Sequence, residues 1–137
     1  MNDYIVQLFE LYEDNKELIL IFEYLEGGDL YEKVKTKKKY TEKEVFWIFL
    51  QLMKGLEFLH SKGVAHRDIK LQNLLLTSHA KNPKVKIADF SLAEEFKIKR
   101  MYVKCGTPGF MAPEIFSEEY YDEKVDIFSA GIILYIL

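Results

Sequence analysis

Hydrophobic and polar positions form distinct blocks along the first part of the chain. Residues 5–12 and residues 18–22 are dominated by branched aliphatic and aromatic side chains, which favour β-strands. Residues 13–17 between them read Glu-Asp-Asn-Lys-Glu and are all polar. A polar segment of this length between two apolar runs predicts a β-hairpin.

A turn and the start of a helix follow the second apolar run. Gly27 and Gly28 indicate the turn, and Asp29 is a good helix N-cap with Glu32 three residues further on. Five lysines lie just beyond, at positions 33, 35, 37, 38 and 39. We interpret these lysines as a solvated helix end and loop, and a docking patch for an acidic partner is the alternative.

The next block predicts a long buried helix. Thr41 and Glu44 have the spacing of a capping box, and apolar residues then recur at helical spacing through residues 45–59. The segment Ser-Lys-Gly at residues 61–63 ends the pattern. His60 lies at this end, where we expect a satisfied surface or capping residue.

A loop rich in polar groups follows the helix. Residues 66–73 read His-Arg-Asp-Ile-Lys-Leu-Gln-Asn, and three leucines come next. In this loop Asp68 supplies a carboxylate, Lys70 a cation and Asn73 an amide oxygen. Phosphoryl transfer uses such groups to orient a hydroxyl, to hold the phosphoryl group and to bind a hard metal ion. Taken alone, the loop also fits a polar turn that ends a helix.

Three motifs in this chain resemble those of the eukaryotic protein kinases, and they occur in the same order. Residues 66–73 are similar to the catalytic loop pattern His-Arg-Asp-x-Lys-x-x-Asn, and Asp-Phe-Ser at residues 89–91 resembles the Asp-Phe-Gly motif. Residues 106–114 resemble the segment that ends in Ala-Pro-Glu. The order and spacing favour this family over a simple turn. The resemblance is to the serine/threonine type, in particular to the calcium/calmodulin-dependent and cyclic-nucleotide-dependent groups.

The resemblance implies an α+β, protein kinase-like fold that is truncated. Residues 1–22 would be the end of the small β lobe, residues 23–29 the hinge, and residues 30–137 the first, mainly helical part of the large lobe. The family's glycine-rich loop and its phosphate-binding strand Lys do not occur before Ile5. We therefore expect the chain by itself to have little or no kinase activity. It would be a fragment of a serine/threonine kinase or, alternatively, a short pseudokinase that binds or regulates a partner; a nucleotide-independent helical module fits less well.

The resemblance also implies ATP and Mg²⁺ as cofactors and a protein Ser or Thr hydroxyl as the phosphoryl acceptor. Asp68 would orient the hydroxyl, and Lys70 would steady the γ-phosphate. Thr107 would form hydrogen bonds with Asp68 and Lys70. Asn73 and Asp89 would hold the metal. The expected nucleotide contacts are Phe22 as gatekeeper, the backbone of Glu23 and Leu25 at the adenine, Asp29 at the ribose, Leu75 as the floor, and Ala88 just before the metal-binding Asp.

Two further roles and two departures follow from the same resemblance. His66 would pack on the Phe of the Asp-Phe-Ser motif, and Asp126 would cap the backbone of the catalytic loop. Ser91 replaces the usual Gly, and Ser reaches positive φ only at a cost. Residues 96–104 contain no Ser or Thr, and the usual phosphorylation position falls on Val103. In the family, a phosphate at that position normally pairs with the Arg before the catalytic Asp, which is Arg67 here. Because Val103 has no hydroxyl, we expect no phosphorylation switch at this place.

Composition and charge narrow the remaining function classes. The chain has 137 residues, of which 49% are hydrophobic, and this is enough to form a core. A net charge of −3 argues against nucleic acid as the main partner. Residues 127–137 are apolar but too short for a membrane span, so we expect a buried helix there. One cysteine, Cys105, and a start unlike a secretory signal favour a cytoplasmic, intracellular protein.

Overall fold

A computed structural model of the protein describes residues 2–37 and 39–137. Its elements in chain order are β1 Leu8–Glu13, β2 Leu18–Phe22, α1 Leu30–Thr36, α2 Glu42–Ser61, β3 Val64–Ala65, β4 Leu74–Leu76, β5 Val85–Ile87, β6 Glu94–Glu95, α3 Glu114–Ser117 and α4 Lys124–Ile136. The strands form antiparallel pairs, β1 with β2, β3 with β6 and β4 with β5. This mixture of helices and small sheets confirms the predicted α+β class, in the form of a partial kinase-like domain.

The predicted hairpin is present, but its first strand begins at Leu8 rather than at residue 5. Asp14 forms the turn, because its carboxylate accepts hydrogen bonds from the backbone N–H groups of Lys16 and Glu17 at 2.7 and 2.8 Å. Every side chain of β1 and β2 is exposed, although most of them are apolar. The hairpin therefore adds little to the buried core of the described chain.

Ile5 and Val6 pair with a different sheet. Ile5 forms a parallel bridge with Ile87 of β5, and the N–H of Val6 donates to the carbonyl of Ile87 at 2.9 Å. The apolar run that predicted one strand is thus shared between β5 and the hairpin. The local pattern of apolar residues does not specify which of these two pairing partners a residue takes.

The long helix α2 has both of its predicted ends. Thr41 and Glu44 form the complete capping box, and the helix continues to Ser61. Its buried face carries Leu52 and Leu56 and lies against β5 and α4. Truncating a leucine that is fully buried in this way to Ala costs about 2–5 kcal/mol. The main core combines this face with side chains from α1, the polar loop, β4, β5 and α4: Leu30, Ile48, Leu59, Ile69, Leu71, Leu74, Leu76, Val85, Ile87, Ala130 and Ile133.

A second, smaller core lies under the segment that follows β6. It consists of Ala65, Met101, Ala112, Ile115, Tyr121 and Val125. The prediction of a buried helix over residues 127–137 is right for one face only. Ala130 and Ile133 of α4 are buried, but Phe128 is 39% exposed and Tyr135 is 91% exposed. No helix in the described part of the chain is long and apolar enough to cross a bilayer.

The turn before α1 is packed tightly on β4. The N–H of Gly27 donates to the carbonyl of Leu76 at 3.0 Å, and the N–H of Leu76 donates to the carbonyl of Gly28 at 2.9 Å. A Cβ at Gly27 would lie 2.5 Å from two backbone oxygens, so only glycine allows this approach. Asp29 then caps α1 by accepting from the N–H of Glu32 at 2.9 Å, as predicted.

Candidate active site

The polar loop, residues 66–73, is fixed from below by a buried carboxylate of α4. Asp126 is fully buried and accepts from the backbone N–H groups of His66 and Arg67, both at 2.8 Å. The ring of His60 also contacts Asp126, at 2.9 Å. The predicted capping role of Asp126 is confirmed. The interpretation of His60 as a surface or capping residue is wrong in part, because its partner is this buried carboxylate and not the helix end.

Asp68 lies at the centre of a cluster of donors. The ammonium of Lys70 donates to Asp68 Oδ2 at 2.6 Å, and the hydroxyl of Thr107 donates to Asp68 Oδ1 at 2.5 Å. Lys70 also donates to the Thr107 hydroxyl at 2.9 Å, so the contact expected for Thr107 is present. The amide of Asn73 donates to the backbone carbonyl and to Oδ2 of Asp68 at 2.8 and 3.1 Å. Both oxygens of the carboxylate are therefore oriented before any ligand arrives.

His66 links the loop to the segment that contains Asp89. Its Nε2 is 2.9 Å from the carbonyl of Ala88, and its Nδ1 accepts from the N–H of Asp68 at 3.2 Å. These two contacts require the neutral ring with the proton on Nε2. Burial lowers the pKa of His66 because it penalises the charged form, which agrees with this tautomer. The ring packs edge-on against Phe90 at 5.0 Å between centroids, as predicted.

Arg67 occupies a buried site with several acceptors. Its φ of 67° lies in the left-handed region, which is costly for a residue with a Cβ. Its guanidinium donates to the carbonyl of Leu92 at 2.6 Å and to the hydroxyl of Tyr121 at 3.1 Å, and it pairs with Glu94 at 3.1 Å. The Tyr121 hydroxyl donates in turn to the carbonyl of Val103. The sequence analysis missed Glu94 and Tyr121, and no local motif singles them out.

The β4–β5 pair places Asp89 beside the loop. Leu74 is opposite Ile87 in this ladder, and the next pair continues it because the N–H of Ala88 donates to the carbonyl of Asn73 at 2.9 Å. Asp89 follows directly and has a φ of 61°. Asp89 is therefore the residue directly after the one that pairs with Asn73.

Ser91, which takes the place of the usual Gly, contacts Asp89. Among the described non-glycine residues, positive φ occurs at Arg67 and Asp89 and not at Ser91. The hydroxyl of Ser91 instead lowers the pKa of the Asp89 carboxyl by hydrogen bonding, and its N–H adds a second bond at 3.3 Å. The cost that Ser would pay at positive φ thus does not arise in this conformation, and the serine contributes hydrogen bonds to the Asp89 carboxylate.

Asn73 and Asp89 are chemically suited to a magnesium ion. Both N–H bonds of the Asn73 amide point at Asp68, which leaves the amide oxygen as the group that can bind a cation. Within residues 2–37 and 39–137, no three or more His, Cys, Asp and Glu side chains are grouped so that they could hold a metal ion. Mg²⁺ does not require such a group, because it is usually bound by one or two side chains together with phosphate oxygens and water.

The residues expected around a nucleotide lie along the turn before α1 and on β4. The N–H of Glu23 donates to the carbonyl of Gln7 at 2.9 Å, so only the Glu23 carbonyl can serve an adenine. The Glu23 carboxylate is paired with Lys86 at 2.6 Å. Asp29 forms a bridge with Leu75, which brings the expected ribose and adenine contacts together. Leu25, Leu75 and Ala88 are half-buried, and Phe22 is 44% exposed.

Comparison with known proteins agrees with this geometry. The model of the protein kinase domain family matches residues 1–137. Calcium/calmodulin-dependent protein kinase type 1 of Macrobrachium nipponense is 41% identical over 97% of this chain and 39% of the relative, and the Caenorhabditis elegans protein of the same name is 38% identical over 97% and 38%. Serine/threonine-protein kinase DCLK3 of Homo sapiens is 42% identical over 97% of this chain and 20% of its own length.

The chain thus spans about two fifths or less of the length of these relatives. The match nevertheless covers the chain from end to end, and the catalytic loop, the Asp-Phe-Ser segment and Asp126 are connected in the structure as the motifs predicted. On both grounds, this chain belongs to the protein kinase domain family.

Proposed function

We propose that this chain is the catalytic part of an ATP-dependent protein serine/threonine kinase. The observation that supports this most strongly is the set of contacts on Asp68, whose two carboxylate oxygens are held by Lys70, Asn73 and Thr107 at 2.5–3.1 Å. The names of the relatives, which include serine/threonine kinases, support the same class of acceptor.

In the proposed reaction, Asp68 accepts a hydrogen bond from the Ser or Thr hydroxyl of a protein substrate and receives its proton as the phosphoryl group moves. Lys70 lies beside both Asp68 and Thr107, from where its ammonium can contact the transferring group. Thr107 belongs to the segment that precedes α3, so its bond to Asp68 ties that segment to the loop. The proposed reaction therefore requires this segment to be packed on the loop before the phosphoryl group is transferred.

The nucleotide side of the proposal rests on residues 22–29 together with Leu75 and Ala88. We propose that residues 1–22 are the end of the small lobe, residues 23–29 the hinge, and residues 30–137 part of the large lobe. Asn73 and Asp89 would hold Mg²⁺, which when bound neutralises charge on the phosphates of ATP. The backbone N–H of Ser91 donates to the Asp89 carboxylate at 3.3 Å, and the amide of Asn73 donates to Oδ2 of Asp68 at 3.1 Å, so both carboxylates have an oriented hydrogen bond.

The second candidate is a short pseudokinase that acts as a binding or regulatory module. The exposed apolar hairpin favours it, since β1 and β2 show both faces to solvent in the described structure. Exposed apolar surface of this size is typical of a contact with another polypeptide. The two candidates differ in one measurable property, which is the transfer of phosphate after the nucleotide has bound.

Two measurements test the proposal. The first is isothermal titration of the chain with ATP in the presence and absence of Mg²⁺, with Asp89→Asn as the test variant and the exposed Asp122→Asn as the matched control. The second is phosphate transfer to a Ser-containing peptide by the chain fused to the small lobe of a relative, with and without Asp68→Asn.

Mg²⁺-dependent binding that is lost only in Asp89→Asn, together with transfer that is lost in Asp68→Asn, supports a kinase. Binding without transfer in the fused protein supports the pseudokinase. If neither the chain nor the fused protein binds ATP, the kinase proposal is wrong.

A further inference from the structure

A basic groove lies outside the candidate active site, between the end of α1, the start of α2 and the loop that joins β4 to β5. It consists of two adjoining hollows that share Glu44, Trp47, Lys81 and Asn82. The inner hollow is narrow, about 20 Å³, and its floor is apolar, formed by Leu30, Ile48, Leu76 and Pro83. The outer hollow is larger, about 470 Å³, and is open to solvent.

The charge of this groove is opposite to that of the whole chain. The chain carries a net −3, but the two hollows are lined by Lys33, Lys37, Lys43 and Lys81 against the single carboxylate of Glu44. Glu44 is already paired with Lys37 at 2.5 Å. Among the ion pairs of residues 2–37 and 39–137, none involves Lys33 or Lys81. The groove therefore offers positive charge that the described chain does not neutralise.

The partly buried environment of Lys33 also favours an anionic ligand in the groove. The pKa of Lys33 is lowered, first because the side chain is partly desolvated and second because Lys37 repels its charge. A carboxylate placed beside Lys33 would offset both the desolvation and the repulsion of its ammonium.

The outer hollow adds an apolar surface. Phe46 is 64% exposed and Trp47 is 43% exposed, and both line it. Exposed aromatic side chains next to charged groups are the usual anchors of a protein contact. A nucleic acid would need a longer row of phosphate contacts than four lysines provide, and the net negative charge of the chain opposes it.

We propose that this groove binds an acidic peptide segment that carries a large apolar side chain. The apolar side chain would lie on Trp47 and Phe46, and the carboxylates would lie on Lys33 and Lys81. The proposal uses no residue of the candidate active site, so it stands apart from the proposed kinase activity. It assigns a partner to the docking patch that the lysine run predicted as an alternative.

The position of Trp47 provides the assay, because it is the only tryptophan in the chain. A short synthetic peptide of glutamates and leucines, free of aromatic residues, is titrated into the 137-residue chain while the fluorescence of Trp47 is followed. We expect a saturable change that weakens with added salt. The double variant Lys33→Glu/Lys81→Glu should weaken the affinity about tenfold, since two attractive contacts become repulsive.

Two controls make the result specific. The double variant Lys16→Glu/Lys62→Glu changes the net charge equally at exposed lysines far from the groove, and it should bind like the unaltered chain. A peptide with glutamine for glutamate, and one with serine for leucine, should each bind more weakly. Circular dichroism confirms that all variants are folded.

The proposal is overturned if the glutamine peptide binds with the same affinity as the glutamate peptide. It is overturned as well if both double variants lose the same amount of affinity. It is also overturned if an oligodeoxythymidylate or a vesicle of anionic lipid changes the fluorescence of Trp47 with higher affinity than the acidic peptide. If the acidic peptide causes no saturable change in fluorescence, the proposal is also overturned, because the reporter Trp47 lies in the groove itself.

Discussion

Replacing Asp126 should destabilise the protein more than any comparable change of a surface acid. The side chain is fully buried and accepts from the N–H groups of His66 and Arg67 through different oxygens, at 2.8 Å each. In Asp126→Ala these two buried donors lose their acceptor. In Asp126→Asn the amide keeps one oxygen, so one donor is still satisfied and the other faces an NH₂ group.

The magnitude follows from the number of orphaned donors. A buried donor without a partner costs about 1–3 kcal/mol. Two such donors give about 4 kcal/mol for Asp126→Ala, and one gives about 2 kcal/mol for Asp126→Asn. The ring of His60 adds less, because its side chain keeps 16% of its surface exposed and can turn to water. Against a typical total stability of about 5–15 kcal/mol, the alanine variant loses a large fraction.

The assay is urea unfolding followed by circular dichroism. With a urea dependence of about 1.5 kcal/mol per molar, the midpoint should fall by roughly 2–3 M in Asp126→Ala and by about half as much in Asp126→Asn. Asp122→Asn is the control, because Asp122 is exposed and pairs with Lys124 at 2.8 Å. The Asp122→Asn substitution should change the free energy of unfolding by less than about 0.5 kcal/mol. A loss below about 1 kcal/mol in Asp126→Ala would refute the reasoning.

Three further predictions concern the same site. Because the pKa of His66 is lowered, the unfolded chain binds a proton below about pH 6.5 that the folded chain does not, so stability falls as pH drops from there towards about pH 5. Urea unfolding across this range should show a flatter profile for His66→Gln, and an unchanged slope would contradict the assignment. Since Glu94 already pairs with Arg67 at 3.1 Å, Val103→Glu as a phosphate mimic should leave the transfer rate of a completed domain within about twofold; a large activation in a peptide phosphorylation assay would disprove this. In the same assay Thr107→Val should lower kcat/KM at least about tenfold, since it removes one donor to Asp68, whereas Thr107→Ser should retain most of the rate.

The parts of the site that the sequence predicts well are those set by short spacing. Asp68, Lys70 and Asn73 lie within one loop, so a motif is enough to bring their side chains together. The capping box at Thr41 and Glu44 fixes the start of α2 for the same reason, because both of its hydrogen bonds are local. The family resemblance adds the contact of Asp126, which local pattern alone does not indicate.

The parts that the sequence does not predict depend on where distant segments meet. Glu94 looks like an ordinary surface acid, and only the pairing of β6 with β3 brings it to Arg67. Ile5 and Val6 have the composition of a hairpin strand but pair with Ile87 of β5, and local pattern does not specify which partner an apolar segment takes. The positive φ of Asp89, two residues before Ser91, is likewise not indicated by the local pattern.

The two sides of the candidate site differ in how they are stabilised. The catalytic loop is held by α2, β4, β5 and α4, whose leucines and isoleucines form the main core, and by the fully buried Asp126. Phe22, the proposed gatekeeper, ends a hairpin whose side chains are all exposed, so few buried contacts oppose its local opening. In the proposed function, nucleotide binding would therefore depend on the less stable part of the structure, and phosphoryl transfer would depend on the more stable part. Failure to bind ATP would consequently not imply a disordered catalytic loop, which is why the urea assay on Asp126 and the titration with ATP have to be read as independent measurements.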